Sequence, residues 1–455
     1  MDNKLFRTIE VNDKPKVNLY ERFNLKRNPF PKKPSITIGS PDDRENGSIY
    51  LPDIRKKETS KFEKLMIPKE DGRNVNSISF LMDYATRRGR GIGKTTFLNH
   101  QKNRIMADFG YEVSKGSNIL FAVYLSPISG GTYRKFWQIS KLIIHALVEQ
   151  EIIAQIMCRL RVFTKEIPDE LLEKVTLENI IDTVGSNQWL GANKINHWNI
   201  ESQIKHKLED VGLNANLIEN LVKFGHSPSE FRKYFLDSLT DSFWRKDENK
   251  ILYDDLVKLF EISNFTKGLI LFDELEKIIP YQNLLERRSF CDSIRYFFID
   301  GNCENTRKSF FEVLFTIHPY LQELLNPHWL AAGLERFAPL GGEMASDNTV
   351  YFEPLVESSA IPLAEAFMEA SRIANTDNKL FPFDEISLKE ALKRTGGVPG
   401  KFLYFLNVTI EKAIELRWKN IGIEEIAKVL LPDIPKEPDA INNTEELPGP
   451  IVDLK

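Results

Sequence analysis

Cysteine is scarce in this chain, with Cys158, Cys291 and Cys303 the only three in 455 residues. They are scattered and odd in number, which argues against a disulfide framework and fits reduced thiols in a cytoplasmic protein. Histidine is scarce too. His100, His145, His197, His206, His226, His318 and His328 show no metal-ligand spacing, so no zinc site is expected. No Ser-His-Asp or Cys-His arrangement stands out either. Neither charge sign dominates: 61 Lys and Arg face 65 Asp and Glu, a formal net charge of -4. That removes any whole-chain case for nucleic-acid binding and leaves only local patches to argue from. Long apolar runs are missing as well. The most apolar helical stretch, residues 139–160, carries His145, Glu149, Gln150 and Glu151, too polar for a membrane span. The first residues are charged and polar, with no apolar signal core. The expectation is a soluble, cytoplasmic protein with no membrane partner.

What is present is ordinary globular material, 42% hydrophobic and 28% charged, long enough for two or three structural units. Residues 1–75 are rich in Pro, Lys and polar side chains and read as an extended basic arm. Residues 76–357 carry short, continuously apolar runs at 77–84, 118–125, 268–272, 311–317 and 350–352. Helical patterns alternate with them, at 95–106, from Tyr133 onward and near 284–298. Strands apolar throughout and separated by helices predict a parallel sheet covered on both faces. Residues 150–262 are too long for a plain connection, with amphipathic spacing at 168–175, 217–224 and 253–262, and read as a helical insertion. Residues 358–432 read as helices throughout, and 433–455, with six acids against two lysines, as a disordered acidic tail.

The chemistry concentrates at two places. Gly91-Ile92-Gly93-Lys94-Thr95-Thr96 lies where a strand pattern ends and a helix pattern begins. Phosphates need closely packed backbone N–H donors, and glycines let the backbone approach them. The helix start adds unpaired N–H groups and the positive end of its dipole. Lys94 would then bridge the β- and γ-phosphates of ATP, and the Thr95 hydroxyl would hold Mg²⁺. The usual spacing puts the first glycine of such a loop where Arg88 stands, with Gly89 one place later. Further on, Leu269-Ile270-Leu271-Phe272-Asp273-Glu274 is an apolar strand ending in two carboxylates. Such strand ends face the ligand crevice of a parallel sheet. Asp273 would bind Mg²⁺ through water, and Glu274 would act as general base on the attacking water.

With those residues placed, the chain resembles the AAA+ superfamily of P-loop NTPases, over residues 77–431 outside the insertion. Within it the likeness is to the origin-recognition/initiator and STAND-type ATPases. The resemblance implies an α/β parallel-sheet core, a C-terminal helical lid, ATP and Mg²⁺ as ligands, and a homo-oligomer. It also implies a polar residue at the end of the next strand that senses the γ-phosphate, here Thr316 with His318 as a second candidate. An arginine reaching into a neighbouring subunit would be Arg336, for which a plain surface ion pair explains the residue equally well. Thr395-Gly396-Gly397-Val398-Pro399-Gly400-Lys401 is similar to the segment that opens the lid helix. Gly400 replaces the usual arginine there, and Lys401 follows as the available cation. The Asn28-Pro29-Phe30-Pro31 segment resembles an entry segment that packs beside the adenine in several bacterial members.

Two readings of the wider role stay open. One is an oligomerising regulator in a DNA-associated complex for initiation, transposition or phage defence. The nine Lys/Arg among the first 33 residues, interleaved with Phe6, Tyr20, Phe23 and Phe30, lean that way. The commoner explanation of that segment is a solvated arm whose aromatics anchor on their own protein. The other role is a STAND-like switch that binds protein partners and no DNA, towards which the missing lid arginine leans. Arg87, Arg88 and Arg90 crowd the loop and suit either a phosphate clamp or a solvated turn.

Overall fold

The computed structural model describes residues 18–68, 77–83, 91–128, 132–245, 248–301, 310–341, 345 and 347–430. Gly89, the arginines at 87, 88 and 90, Phe6, Cys303, the Gly130-Gly131 turn and the acidic tail lie outside these. The described residues form two compact units, 18–54 with 354–430 and 55–353.

The larger unit is built on five strands: β1 (Ile78–Asp83), β2 (Leu120–Leu125), β3 (Lys267–Phe272), β4 (Phe311–Ile317) and β5 (Thr349–Phe352). They lie in the order β2-β3-β4-β1-β5, all pairs parallel. Every residue of β1, β3 and β4 is buried, which is why these segments read as mainly apolar runs, and a charged pair within them, Lys267 of β3 and Glu312 of β4, meets at 3.4 Å. Close approach explains Gly268 in β3, because a Cβ there would stand 2.5 Å from the Phe121 ring of β2. The fold is an α/β parallel-sheet core of P-loop NTPase type with added helical regions.

Helix α1 (Lys56–Met66) begins inside the stretch expected to be an extended arm. Its Phe62 meets Phe97 edge-on at 5.8 Å, and Phe97 meets Phe352 of β5 at 5.2 Å, so α1 is part of the core rather than an appendage. Helix α2 (Lys94–Met106) follows the glycine turn. The apolar stretch 139–160 is not one helix. Glu151, at φ 61°, breaks it into α3 (Phe136–Glu149) and α4 (Ile152–Phe163). The helices at 152–262 share one apolar core with the sheet. Arg161, 2% exposed, pins this region. It donates to the carbonyls of Val184 and Gly185, both at 3.0 Å, and to Asn187 Oδ1 at 2.9 Å, and pairs with Glu201 at 3.5 Å. An open cavity of about 650 Å³ lies here, with Asn214, Leu217, Tyr234, Phe243 and Asp255 in its wall, and no residue of the glycine turn or the acidic strand end lines it. Cys158 and Cys291 are free and buried, and burial pushes both thiols up to about 12.

In the smaller unit the C-terminal helices Ala360–Ala370, Glu385–Arg394, Pro399–Glu415 and Ile423–Lys428 close around residues from the other end of the chain. Phe23, Leu25 and Phe30 are at most 1% exposed within this core. Asn28 Nδ2 donates to the Asn407 carbonyl at 3.0 Å, and Asn407 Nδ2 donates to the Phe30 carbonyl at 2.7 Å. Residues 18–54 are therefore a folded part of this unit, not a free arm. Arg22 donates to the Ala413 carbonyl and Arg27 pairs with Asp43, so part of the basic segment is engaged internally. No helix among the described residues is long and apolar enough to cross a membrane.

Candidate functional site

The parallel register brings the C-terminal ends of β1 to β4 to one edge. Asp273 N–H donates to the Leu125 carbonyl at 2.8 Å, carrying the β2–β3 pairing one residue past β3. Leu81 of β1 lies opposite Thr316 of β4. Asp83, Tyr124, Asp273 and Thr316 thus reach the same edge, where α2 begins.

Gly91 and Gly93 take φ of 81° and 98°, the left-handed region that glycine enters without cost. That turn starts α2 at Lys94, so its first-turn N–H groups and dipole face the strand ends. Lys94 is 7% exposed, and its Nζ lies 3.2 Å from Asp83 Oδ2, a fully buried carboxylate at the end of β1. The Thr95 hydroxyl donates to Asp273 Oδ2 at 2.6 Å, and Thr96 is half-buried in the same first turn.

Asp273 is 2% exposed and accepts four hydrogen bonds. Oδ2 takes Thr95 and the Tyr124 hydroxyl, the latter at 3.0 Å. Oδ1 takes the Thr316 hydroxyl at 2.7 Å and the Glu274 N–H at 3.0 Å. A carboxylate has about four lone-pair sites, so Asp273 is held in one orientation. The Thr316 oxygen also accepts from the Glu274 N–H at 2.8 Å. Burial, then the Asp273 carboxylate, pushes the Tyr124 hydroxyl far above its ordinary range, so Tyr124 stays a donor.

Glu274 sits at φ 61°, a strained setting for a residue with a side chain. Its carboxylate accepts from Ser126 Oγ at 2.5 Å and pairs with Lys277, whose Nζ also donates to Ser126 Oγ at 3.3 Å. Burial pushes the carboxyl of Glu276 up to about 7, Lys94 drawing it down and Asp273 adding to the rise.

The structure brings Lys94, Thr95, Asp273 and Thr316 into one bonded cluster, with Glu274 attached through its backbone. Thr316, not His318, is the strand-end residue that meets Asp273. Arg336 is exposed at the end of the turn Leu334–Arg336 and makes no hydrogen bond or ion pair with this cluster. Lys401 is half-buried in the first turn of the helix Pro399–Glu415, in the smaller unit. Sequence reasoning missed Asp83, Tyr124, Ser126 and Lys277. Asp83 had a signal, a charge at the end of an apolar run. Tyr124 and Ser126 read as strand filler.

Glycine turn, helix start and strand-end carboxylate on a parallel sheet define the class by its fold: an α/β chain with a P-loop NTPase-like core. No protein-family model matches the chain, and no curated protein matches it in sequence. Among solved structures it is similar to the Aeropyrum pernix ORC2 protein, determined as ADPNP-ADP complexes, at 10% identity and a TM-score of 0.43, covering 83% of this chain and 67% of that one. Likeness of that degree assigns no family.

The donor set suits Mg²⁺. Thr95 and Asp273 offer hard oxygens, and Mg²⁺ is usually held by one or two protein oxygens together with phosphates and water.

Proposed function

We propose that this chain binds ATP with Mg²⁺ and hydrolyses it. The observation that carries the reading is the Thr95–Asp273 contact at 2.6 Å, made by residues 178 apart in sequence. The amides of the glycine turn and the first turn of α2 would cradle the phosphates, and Lys94 would leave Asp83 to neutralise them. Thr95 and Asp273 would hold Mg²⁺, which supplies charge neutralisation on the phosphates. Thr316 keeps Asp273 and the Glu274 backbone in place. Glu274 would accept the proton of the attacking water once its carboxylate leaves Ser126 and Lys277.

The setting we propose is a regulator that assembles with itself, in a DNA-associated complex, with Arg336 of one copy completing the site of the next. Its exposure and its lack of an ion pair with a described residue support that role. The second reading, a slow signalling switch indifferent to DNA, is favoured by the engaged Glu274 carboxylate, because a base bound to a lysine and a hydroxyl turns over slowly.

ATPase rate and particle size, measured with and without duplex DNA, separate these. ATP-dependent, salt-sensitive DNA binding with faster turnover supports the first setting. Tight nucleotide binding with slow turnover, unaffected by DNA, supports the second. A chain that binds no nucleotide under either condition removes both.

A further inference from the structure

Arg55 immediately precedes α1 and is 4% exposed. Three of its five N–H donors are engaged. Nη1 donates to Glu58 Oε1 at 2.7 Å and to the Glu353 carbonyl at 2.8 Å, and Nη2 donates to the Ile92 carbonyl at 2.9 Å. The charged carbon lies 4.6 Å from the centre of the Phe352 ring. One side chain thus ties α1 and the end of β5 to the turn ahead of Lys94.

The bond to Ile92 has a consequence through the peptide plane. In a trans peptide the C=O of one residue and the N–H of the next point in opposite directions. An Ile92 carbonyl fixed on Arg55 therefore aims the Gly93 N–H away from Arg55. Gly93 leads directly into α2, whose first-turn N–H groups are the donors a phosphate would meet. Gly93, on one side of this plane, lacks the Cβ that would bar it from turning over, so the orientation gains from an outside anchor.

We propose that Arg55 is a positioning residue for phosphate binding, which holds the Ile92 carbonyl so that the Gly93 N–H faces the phosphate chain. It sets the affinity of the site without touching the nucleotide. The inference rests on the nucleotide reading above and needs no metal.

The test is ADP binding in EDTA by calorimetry, with the thermal midpoint of the nucleotide-free protein measured alongside. The variants are Arg55→Met/Glu58→Met, which removes the buried pair together and strands no carboxylate, and Arg55→Lys, which keeps the charge but not the planar fork. Both should bind ADP about tenfold more weakly, the worth of one well-placed hydrogen bond. In ¹⁵N-glycine-labelled protein the Gly93 amide should lose the downfield shift that ADP induces in the wild type. The double variant should melt close to the wild type. Should it fail to fold, Arg55→Lys carries the decision. Unchanged ADP affinity in a folded variant, or an unaltered Gly93 response, overturns the proposal while leaving the nucleotide reading intact. A wild-type chain that binds no ADP overturns both.

Discussion

The Thr95 hydroxyl and the Asp273 carboxylate share a hydrogen bond of 2.6 Å, although 178 residues separate them. Parallel pairing of β2, β3 and β4 delivers Asp273 to the sheet edge, and the left-handed glycine turn delivers Thr95. Neither residue gains this geometry from its local sequence.

Lys94 joins that arrangement through Asp83. Lys94→Ala should lower ATP affinity by on the order of 10–100-fold, the worth of about 1.5–3 kcal/mol for a hydrogen bond between charged groups. It should also lower the nucleotide-free thermal midpoint, because Asp83 loses its 3.2 Å partner while remaining buried. Equilibrium binding of a fluorescent ATP analogue and a melt without nucleotide check the two halves separately.

Tyr124 shares Asp273 Oδ2 with Thr95. Outer partners of metal-binding carboxylates fix their orientation, and losing one typically costs 10–100-fold in metal affinity. Tyr124→Phe should raise the Mg²⁺ concentration needed for half-maximal ATPase by about tenfold, while ATP binding in EDTA stays as in the wild type. A variant with unaltered Mg²⁺ dependence would show the hydroxyl to be mere packing.

Glu276 gives a pH signature. Burial, chiefly, raises its carboxyl from the ordinary glutamate value of 4.5 to about 7. The folded state therefore binds a proton that the unfolded state has released between those values, and this group's contribution to stability falls as pH rises through that window. Glu276→Gln removes the effect. Its stability relative to wild type should grow from pH 4.5 to pH 7, by on the order of 1–3 kcal/mol, as read by denaturant midpoints across pH. A constant difference would mean that Glu276 titrates normally.

Arg161 tests the helical region. Arg161→Ala takes the arginine from Glu201, which keeps Asn187 Nδ2 at 2.7 Å and His226 Nε2 at 3.1 Å, and frees the carbonyls of Val184 and Gly185 and the Asn187 oxygen. Loss of about 3–5 kcal/mol is expected from breaking a buried pair on one side. Arg161→Met/Glu201→Met should recover none of it, because the two carbonyls stay unpaired and Asn187 and His226 lose Glu201 as well, and a double variant as stable as the wild type would contradict that account.

The five strands were legible because each is buried over most of its length and therefore mainly apolar in sequence. The ends of β4 fall at Phe311 and Ile317, the bounds expected from the pattern, although Glu312 interrupts the run and is buried beside Lys267 of β3. Lys94, Thr95, Asp273 and Glu274 stood out because phosphate and metal chemistry would demand those residue types beside a glycine turn and a strand end, and the fold brings Thr95 and Asp273 into contact. Thr316 could be found by its place at the end of the next strand, and the structure bonds it to Asp273. The break at Glu151 was invisible, since a left-handed glutamate leaves no compositional mark. In residues 18–54 the anchoring of Phe23 and Phe30 on their own protein agrees with the commoner explanation of that segment, whereas its extended, solvated character does not, because folding of 18–54 into the smaller unit depends on partners distant in sequence. Arg55 was hidden for the same reason: its partners at Ile92 and Glu353 are distant in sequence.

The central claim is that Thr95, Asp273 and Glu274 work on one magnesium-bound triphosphate. It is tested most directly by single-turnover hydrolysis of radiolabelled ATP, with binding measured in parallel, on wild type and Glu274→Gln. The account predicts ATP affinity within a few-fold of wild type and a hydrolysis rate lower by on the order of 10²–10⁴-fold, the usual worth of a general base. Hydrolysis by Glu274→Gln at the wild-type rate, or absence of ATP binding in the wild type, would contradict it.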